Sequence, residues 1–135
     1  LFGFGLGASG GMFGGQLTTD NTNAKVISGE GNNTAICFKI NVADGLWHNI
    51  TYVVPNIPNP KFADIKIYVD GTNLVVQGDP INTGFAVNTV LGSNTFIGSQ
   101  EYGTGLFFNG LLDDFRIYNR ELSETEIKLL SDERP

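Results

Sequence analysis

Apolar and polar positions alternate with strand period along most of the chain. From Leu1 to Leu6, the apolar residues Phe2, Phe4 and Leu6 are separated by Gly3 and Gly5. That spacing predicts a strand whose second face is bare, of the kind that accommodates another backbone or a sharp curve. "TAICFKINV" sets Ile36, Phe38, Ile40 and Val42 on one face and Cys37, Lys39 and Asn41 on the other, the pattern of a half-buried strand. "LWHNITYVV" follows the turn "ADG" as a further strand, and Pro55, Pro58 and Pro60 then break the chain into an extended loop. "DIKIYVDGTNLVV" predicts a hairpin, in which Ile65, Ile67 and Val69 lead into Asp70-Gly71, a pair suited to the positive φ angles of a type I′ turn.

"NTFIGS" and "GLFFNGLLDDFRIYN" supply two more strands. In the second, Phe108, Gly110 and Leu112 share one parity while Phe115 and Ile117 have the other, so a β-bulge near Asp113-Asp114 is expected to bring the apolar groups to one side. One helix is predicted, at the end of the chain. Ser123 and Glu126 form a capping box, and Leu122 and Ile127 occupy the flanking staple positions. Many short strands, frequent turn residues and one terminal helix predict an all-β fold, an antiparallel β-sandwich with one short C-terminal helix.

Composition narrows this further. The 135 residues suffice for one domain, taken as 1–135, with a core that needs no staples. A net charge of −6, with only eight scattered Lys and Arg, argues against a nucleic-acid partner. Cys37 is the sole cysteine and His48 the sole histidine, so neither an intrachain disulfide nor a Cys/His zinc site can form. No apolar run approaches the ~20 residues of a membrane span, so membrane insertion is not expected.

Two motifs overlap near the start. Gly5-Leu-Gly7-Ala-Ser-Gly10 fits the dinucleotide pattern G-x-G-x-x-G, and Gly7-Ala-Ser9-Gly-Gly11 fits the nucleophile elbow G-x-S-x-G. Both chemistries need a helix directly after the glycines, and "GMFGGQLTTDNT" does not form one. The elbow also needs an acid and a histidine; Asp20 or Asp44 with His48 complete that order on paper only. His48, next to Trp47 on a strand, is expected to hydrogen-bond locally rather than to catalyse. Asn32 and Asn49 stand in N-x-[ST] triplets, which arise by chance in a chain rich in Asn and Thr.

"GLWHNITYVV", "IKIYVDGTNL", "TFIGS" and "FFNGLLDDFRIYNRELSETEIKLL" occur in that order between about Gly45 and Leu130. In this the chain resembles the laminin-G-like, concanavalin A-like jelly rolls, and the last segment is the most specific. The resemblance implies two packed antiparallel sheets, a carbohydrate-binding or adhesive role, and a module of a secreted or cell-surface protein, hence an extracellular location. Relatives begin with one or two strands ahead of the segment matching Leu1 to Leu17, beside the closing strand. Against that pattern this chain starts late, and unpaired strand edges are expected to pair with a second copy, as a homodimer, or with a borrowed strand.

The resemblance also bears on chemistry. Relatives hold calcium with Asp side chains and loop carbonyls, which makes Asp113 and Asp114 the candidate metal ligands. Glycanase relatives carry an acid-x-acid pattern on a strand. The one instance here, Glu124-Thr-Glu126, begins a helix, where the acids serve the cap and dipole. Of the aromatics Trp47, Tyr52, Tyr68, Phe107, Phe108 and Tyr118, most are expected to be core, leaving Tyr102 in "SQEYGTG" as the candidate ligand contact. The expected function is noncatalytic glycan binding. The alternatives are a protein-binding, adhesive or structural module without sugar binding, and a glycoside hydrolase.

Overall fold

The computed structural model describes residues 2–6, 11–17, 23–28, 34–74, 86–87, 95–99 and 107–133. The first alternating stretch is strand β1 (Phe2–Leu6), and the glycine-rich residues after it form a second strand, β2 (Gly11–Leu17), where both phosphate-loop and elbow chemistries would require a helix. Ser9 itself lies outside the described residues. Strands β3 (Asn23–Ser28) and β4 (Thr34–Lys39) continue the meander. With β8 (Thr95–Ile97), they build an antiparallel sheet of order β4-β3-β2-β1-β8. The glycine runs of the first two strands face one another across the ladder, Gly3 opposite Gly14 and Phe2 opposite Gly15.

A second antiparallel sheet, of order β5-β6-β7, comprises β5 (Ile50–Val53), β6 (Lys66–Val69) and β7 (Thr72–Asn73). The sequence-predicted hairpin is present: Asp70 has φ 53° and Gly71 φ 74°, the two left-handed residues of a type I′ turn. Strand β6 is buried on both faces. Ile67 on one side joins Phe62, Ile65 and, from the first sheet, Phe13, with Phe2, Ile50, Tyr52 and Leu74 packed around them. Tyr68 on the other side joins Val53, Leu122, Ile127 and Leu130. The hydroxyl of Tyr68 donates to Glu124 Oε1 at 3.3 Å, which lets a tyrosine sit in this apolar layer.

The layer over Tyr68 is closed by helix α1 (Glu124–Asp132). Its start is as the sequence predicts: Ser123 Oγ accepts from the Glu126 backbone N–H at 3.3 Å, and Glu126 Oε2 accepts from the Ser123 N–H at 2.9 Å. Arg120 adds a two-pronged contact to the same carboxylate, at 2.7 and 3.1 Å. The far end of the helix rests on the hairpin turn. A Cβ at Gly71 would lie 2.7 Å from Ser131 Oγ and 2.8 Å from Lys128 Cδ, so both the backbone angle and the helix require glycine there.

The expected closing strand is not formed. Residues 107–118 belong to neither sheet, and among the described residues the one backbone bond found there joins the Phe108 N–H to the Gly98 carbonyl at 2.8 Å. Instead of a bulge that keeps a ladder going, Asp114 takes a left-handed φ of 54°. Asp113 Oδ1 accepts the Asp114 N–H at 2.7 Å, and Arg116 grips the Asp114 carboxylate, so the kink is locked on both sides. The apolar residues around it are left facing outward, with Leu111 77 %, Phe107 69 % and Ile117 68 % exposed.

Candidate binding cleft

Between this irregular segment and the second sheet lies a cleft of about 770 Å³. Its floor includes Phe2 and Phe13, one wall is the chain leading into β5, and the opposite wall runs from Leu111 to Glu121. Phe2 is fixed by edge-on contacts with Phe13 and Tyr52, with ring centroids 5.8 and 5.0 Å apart, so the floor is a rigid aromatic layer. Tyr52 carries its hydroxyl into the core without a hydrogen-bond partner among the described residues, and burial holds its pKa well above the ordinary phenol value.

The β5 wall presents Trp47, Asn49 and Asn56; the opposite wall presents Arg116, Tyr118 and Asn119. Trp47 is 40 % exposed and Tyr118 41 %. The expectation that most of the aromatics are core therefore holds for Tyr68 and Tyr52, in part for the half-buried Phe108, and not for Trp47, Phe107 or Tyr118. Trp47 precedes the first paired residue of β5, and Tyr118 follows the Asp114 kink, so neither is folded into a sheet. Tyr102 lies outside the described residues.

His48 organises the β5 wall. Its Nδ1 is 2.8 Å from Asp70 Oδ2 and its Nε2 is 3.0 Å from Asp44 Oδ1, so both ring nitrogens face carboxylates. Asp70 Oδ1 also accepts the Asn49 N–H at 3.0 Å, tying the start of β5 to the hairpin turn. Partial burial works against a charged imidazole, but hydrogen bonds to Asp70 and Asp44 outweigh it and raise the His48 pKa above 6.5. The hydrogen bond from His48, followed by that from the Leu46 N–H, lowers the Asp44 pKa below 3.8. A histidine engaged at both nitrogens has no lone pair for a substrate proton, in agreement with its reading as a local hydrogen-bonding group.

The acids on the opposite wall are also engaged. Arg116 holds Asp114 through Nε at 2.8 Å and Nη2 at 2.6 Å, and reaches Glu133 through Nη1 at 3.1 Å. Arg116 thus lies between two carboxylates and occupies oxygens of both. The acid-x-acid residues are at the helix start, Glu124 against Tyr68 and Glu126 against Ser123 and Arg120. Asp113 and Asp114 do not fit calcium as they stand. The Asp114 carboxylate is occupied by Arg116, and no three His, Cys, Asp or Glu among the described residues gather into a metal-holding group.

The cleft thus has an apolar floor, with partly exposed aromatics and side-chain amides along its walls. A family profile described as concanavalin A-like lectin/glucanases superfamily matches residues 2–128. The chain belongs to this superfamily. Its sheets and single terminal helix agree with the all-β expectation. A curated relative, an alpha-L-arabinofuranosidase from Bifidobacterium longum subsp. longum, is 32 % identical over 110 residues, which cover 75 % of this chain and 10 % of the relative. The chain thus matches about a tenth of that protein's length. No solved structure gives a significant match.

Proposed function

We propose that the chain is a noncatalytic carbohydrate-binding module that takes a glycan into the cleft between the β5 wall and residues 111–121. The observation that carries this is the placement of two exposed aromatics, Trp47 and Tyr118, beside Asn49, Asn56 and Asn119 on one concave, apolar-floored surface. Aromatic faces stack on the apolar faces of sugar rings, and side-chain amides pair with ring hydroxyls. Superfamily membership and the arabinofuranosidase relative support a glycan as the ligand, and arabinose-containing oligosaccharides are the first class to try. In this reading the two sheets are parts of a jelly-roll sandwich, and the module works outside the cell, within a longer protein.

Binding rather than hydrolysis is favoured by the Arg116 contacts, which engage Asp114 and Glu133, two of the acids that line the cleft. Titration of the protein with arabino-oligosaccharides, read by Trp47 fluorescence and by release of reducing sugar, tests both halves of the proposal. Saturable binding without release supports it; release of sugar would make the chain a hydrolase.

A second reading rests on a different observation. The outward-facing Phe107, Leu111 and Ile117 form an apolar rim beside a segment with no strand partner among the described residues, which favours a protein-binding or self-associating module. Sedimentation over a range of concentrations separates the two: a homodimer that buries this rim would be weakened on replacing Phe107, which is exposed and does not line the cleft, by Ser, whereas glycan binding at Trp47 would not.

A further inference from the structure

We infer that His48, as an imidazolium, is the positioning residue that fixes the Asp44–Trp47 turn at the mouth of the cleft, so that the presentation of Trp47 is set by pH. The inference rests on the carbohydrate-binding reading only for its consequence to ligand binding; the switch itself stands on the geometry of the turn.

The two ring nitrogens of His48 lie 2.8 and 3.0 Å from carboxylate oxygens. Carboxylates only accept, so both contacts are hydrogen bonds when both nitrogens carry protons, which is the cationic form. A neutral imidazole has one N–H, and its other nitrogen turns a lone pair toward a carboxylate. One of the two contacts must then be lost. The contact to Asp70 is the shorter one, and Asp70 is further anchored because its other oxygen accepts the Asn49 N–H. The contact to Asp44 is the more exposed, with side-chain accessibilities of 37 % for Asp44 and 27 % for Asp70. Deprotonation therefore leaves Nδ1–H on Asp70 and releases Asp44.

Asp44 is what holds the turn down. Its Oδ1 also accepts the Leu46 N–H at 2.9 Å, and Asn41 Oδ1 accepts the Ala43 N–H at 2.9 Å, so residues 41–46 form a small self-bonded loop that Asp44 ties to His48 ahead of β5. Leu46 and Trp47 follow directly, both exposed and both on the cleft. The charged groups facing His48 are Asp44 from its own turn and Asp70 from the β6–β7 turn, both acids and both favouring the cation. The helix packed on that turn brings Lys128, whose ammonium is held by Asp132 at 2.9 Å. The raised His48 pKa follows from the same contacts and places the transition above pH 6.5.

His48 and Trp47 are the only residues of their kinds, so each reports without ambiguity. The ring nitrogens of His48 are followed by nitrogen-proton NMR, and Trp47 by its emission, across pH 5–9 and without any sugar. The expected result is a single midpoint above 6.5 common to both signals, with the Nε2 proton lost on the alkaline side. Asp44→Asn lowers that midpoint by about half a unit, the effect of one partly exposed charge pair. A midpoint at or below 6.5, loss of the Nδ1 proton in place of Nε2, or Trp47 emission that ignores the His48 transition would overturn the inference. A shared midpoint in a protein that binds no sugar would leave the switch standing and remove the carbohydrate reading. Weaker arabino-oligosaccharide binding above the midpoint, absent in Asp44→Asn, would connect the two.

Discussion

The ring of Tyr52 lies directly over Gly15, so that a Cβ at Gly15 would stand 2.5 Å from Tyr52 Cζ and 2.6 Å from its hydroxyl oxygen. Gly15 pairs with Phe2 and shares the core-facing side of the first sheet with Phe2 and Phe13, so the space that glycine leaves there is filled from within the same chain, by Tyr52 of the second sheet. Gly15→Ala is expected to cost roughly 1–3 kcal/mol, because the new methyl would overlap both the Tyr52 ring and the Phe2 ring, whose Cε1 is 2.7 Å away. Tyr52→Phe is expected to be neutral or to stabilise by about 1 kcal/mol, since the buried hydroxyl it removes has no partner. Urea unfolding of both variants checks the pair; a large loss in Tyr52→Phe would mean that the hydroxyl is bonded.

Gly71 and Gly45 separate backbone strain from packing. Both have positive φ, 74° and 82°, but a Cβ at Gly45 meets nothing within 4 Å, whereas one at Gly71 strikes Ser131 and Lys128. Gly45→Ala should cost about 1 kcal/mol of strain alone, and Gly71→Ala about 2–4 kcal/mol of strain plus displacement of the helix. Equal losses in thermal melts would mean that α1 is not seated on the hairpin turn.

The hairpin and the capped helix were legible because their signals are local: Asp70-Gly71 states its own turn, and Ser123 with Glu126 its own cap. The β1 alternation was legible for the same reason. The cleft was not, since Trp47 and Tyr118 are 71 positions apart along the chain, and their strand-like surroundings argued for burial. The alternation in "GLLDDFRIYN" misled on the closing strand. Period 2 records which side chains are apolar, but a strand forms only where a neighbour supplies the ladder, and Asp114 kinks where no described strand does so. His48 was read as a local hydrogen-bonding group, yet its two partners, Asp44 and Asp70, became visible only when the β6–β7 turn was placed beside β5.

The helix start carries an acid-sensitive contact. Arg120, then Ser123, hold the Glu126 carboxyl down to about 2, against 4.5 unperturbed. A depressed carboxylate pKa gives stability that is present above pH 4.5 and lost as pH falls through about 2. Melting temperatures of the wild type and Glu126→Gln should therefore differ at neutral pH and converge toward pH 2. Ser123→Ala, which removes the other half of the box, should cost about 1 kcal/mol at neutral pH and less toward pH 2, because the Ser123 hydroxyl also donates to the Glu126 carboxylate.

Calcium should have no effect. Because Arg116 already neutralises Asp114, millimolar calcium is expected to leave the melting temperature and Trp47 emission unchanged. Arg116→Ala would free the two acids, and stabilisation by calcium in that variant alone would locate the pair as a masked cation site. Stabilisation of the wild type would show that the Arg116 contact yields to the ion.

The cleft beside Trp47 is proposed to take a sugar. Amide and indole chemical-shift mapping during titration with arabino-oligosaccharides tests it most directly. Saturable shifts are expected at the Trp47 indole, Asn49, Asn56 and Asn119, and their loss in Trp47→Ala with the fold retained. Shifts confined to residues away from the cleft, or binding that survives Trp47→Ala undiminished, would contradict it.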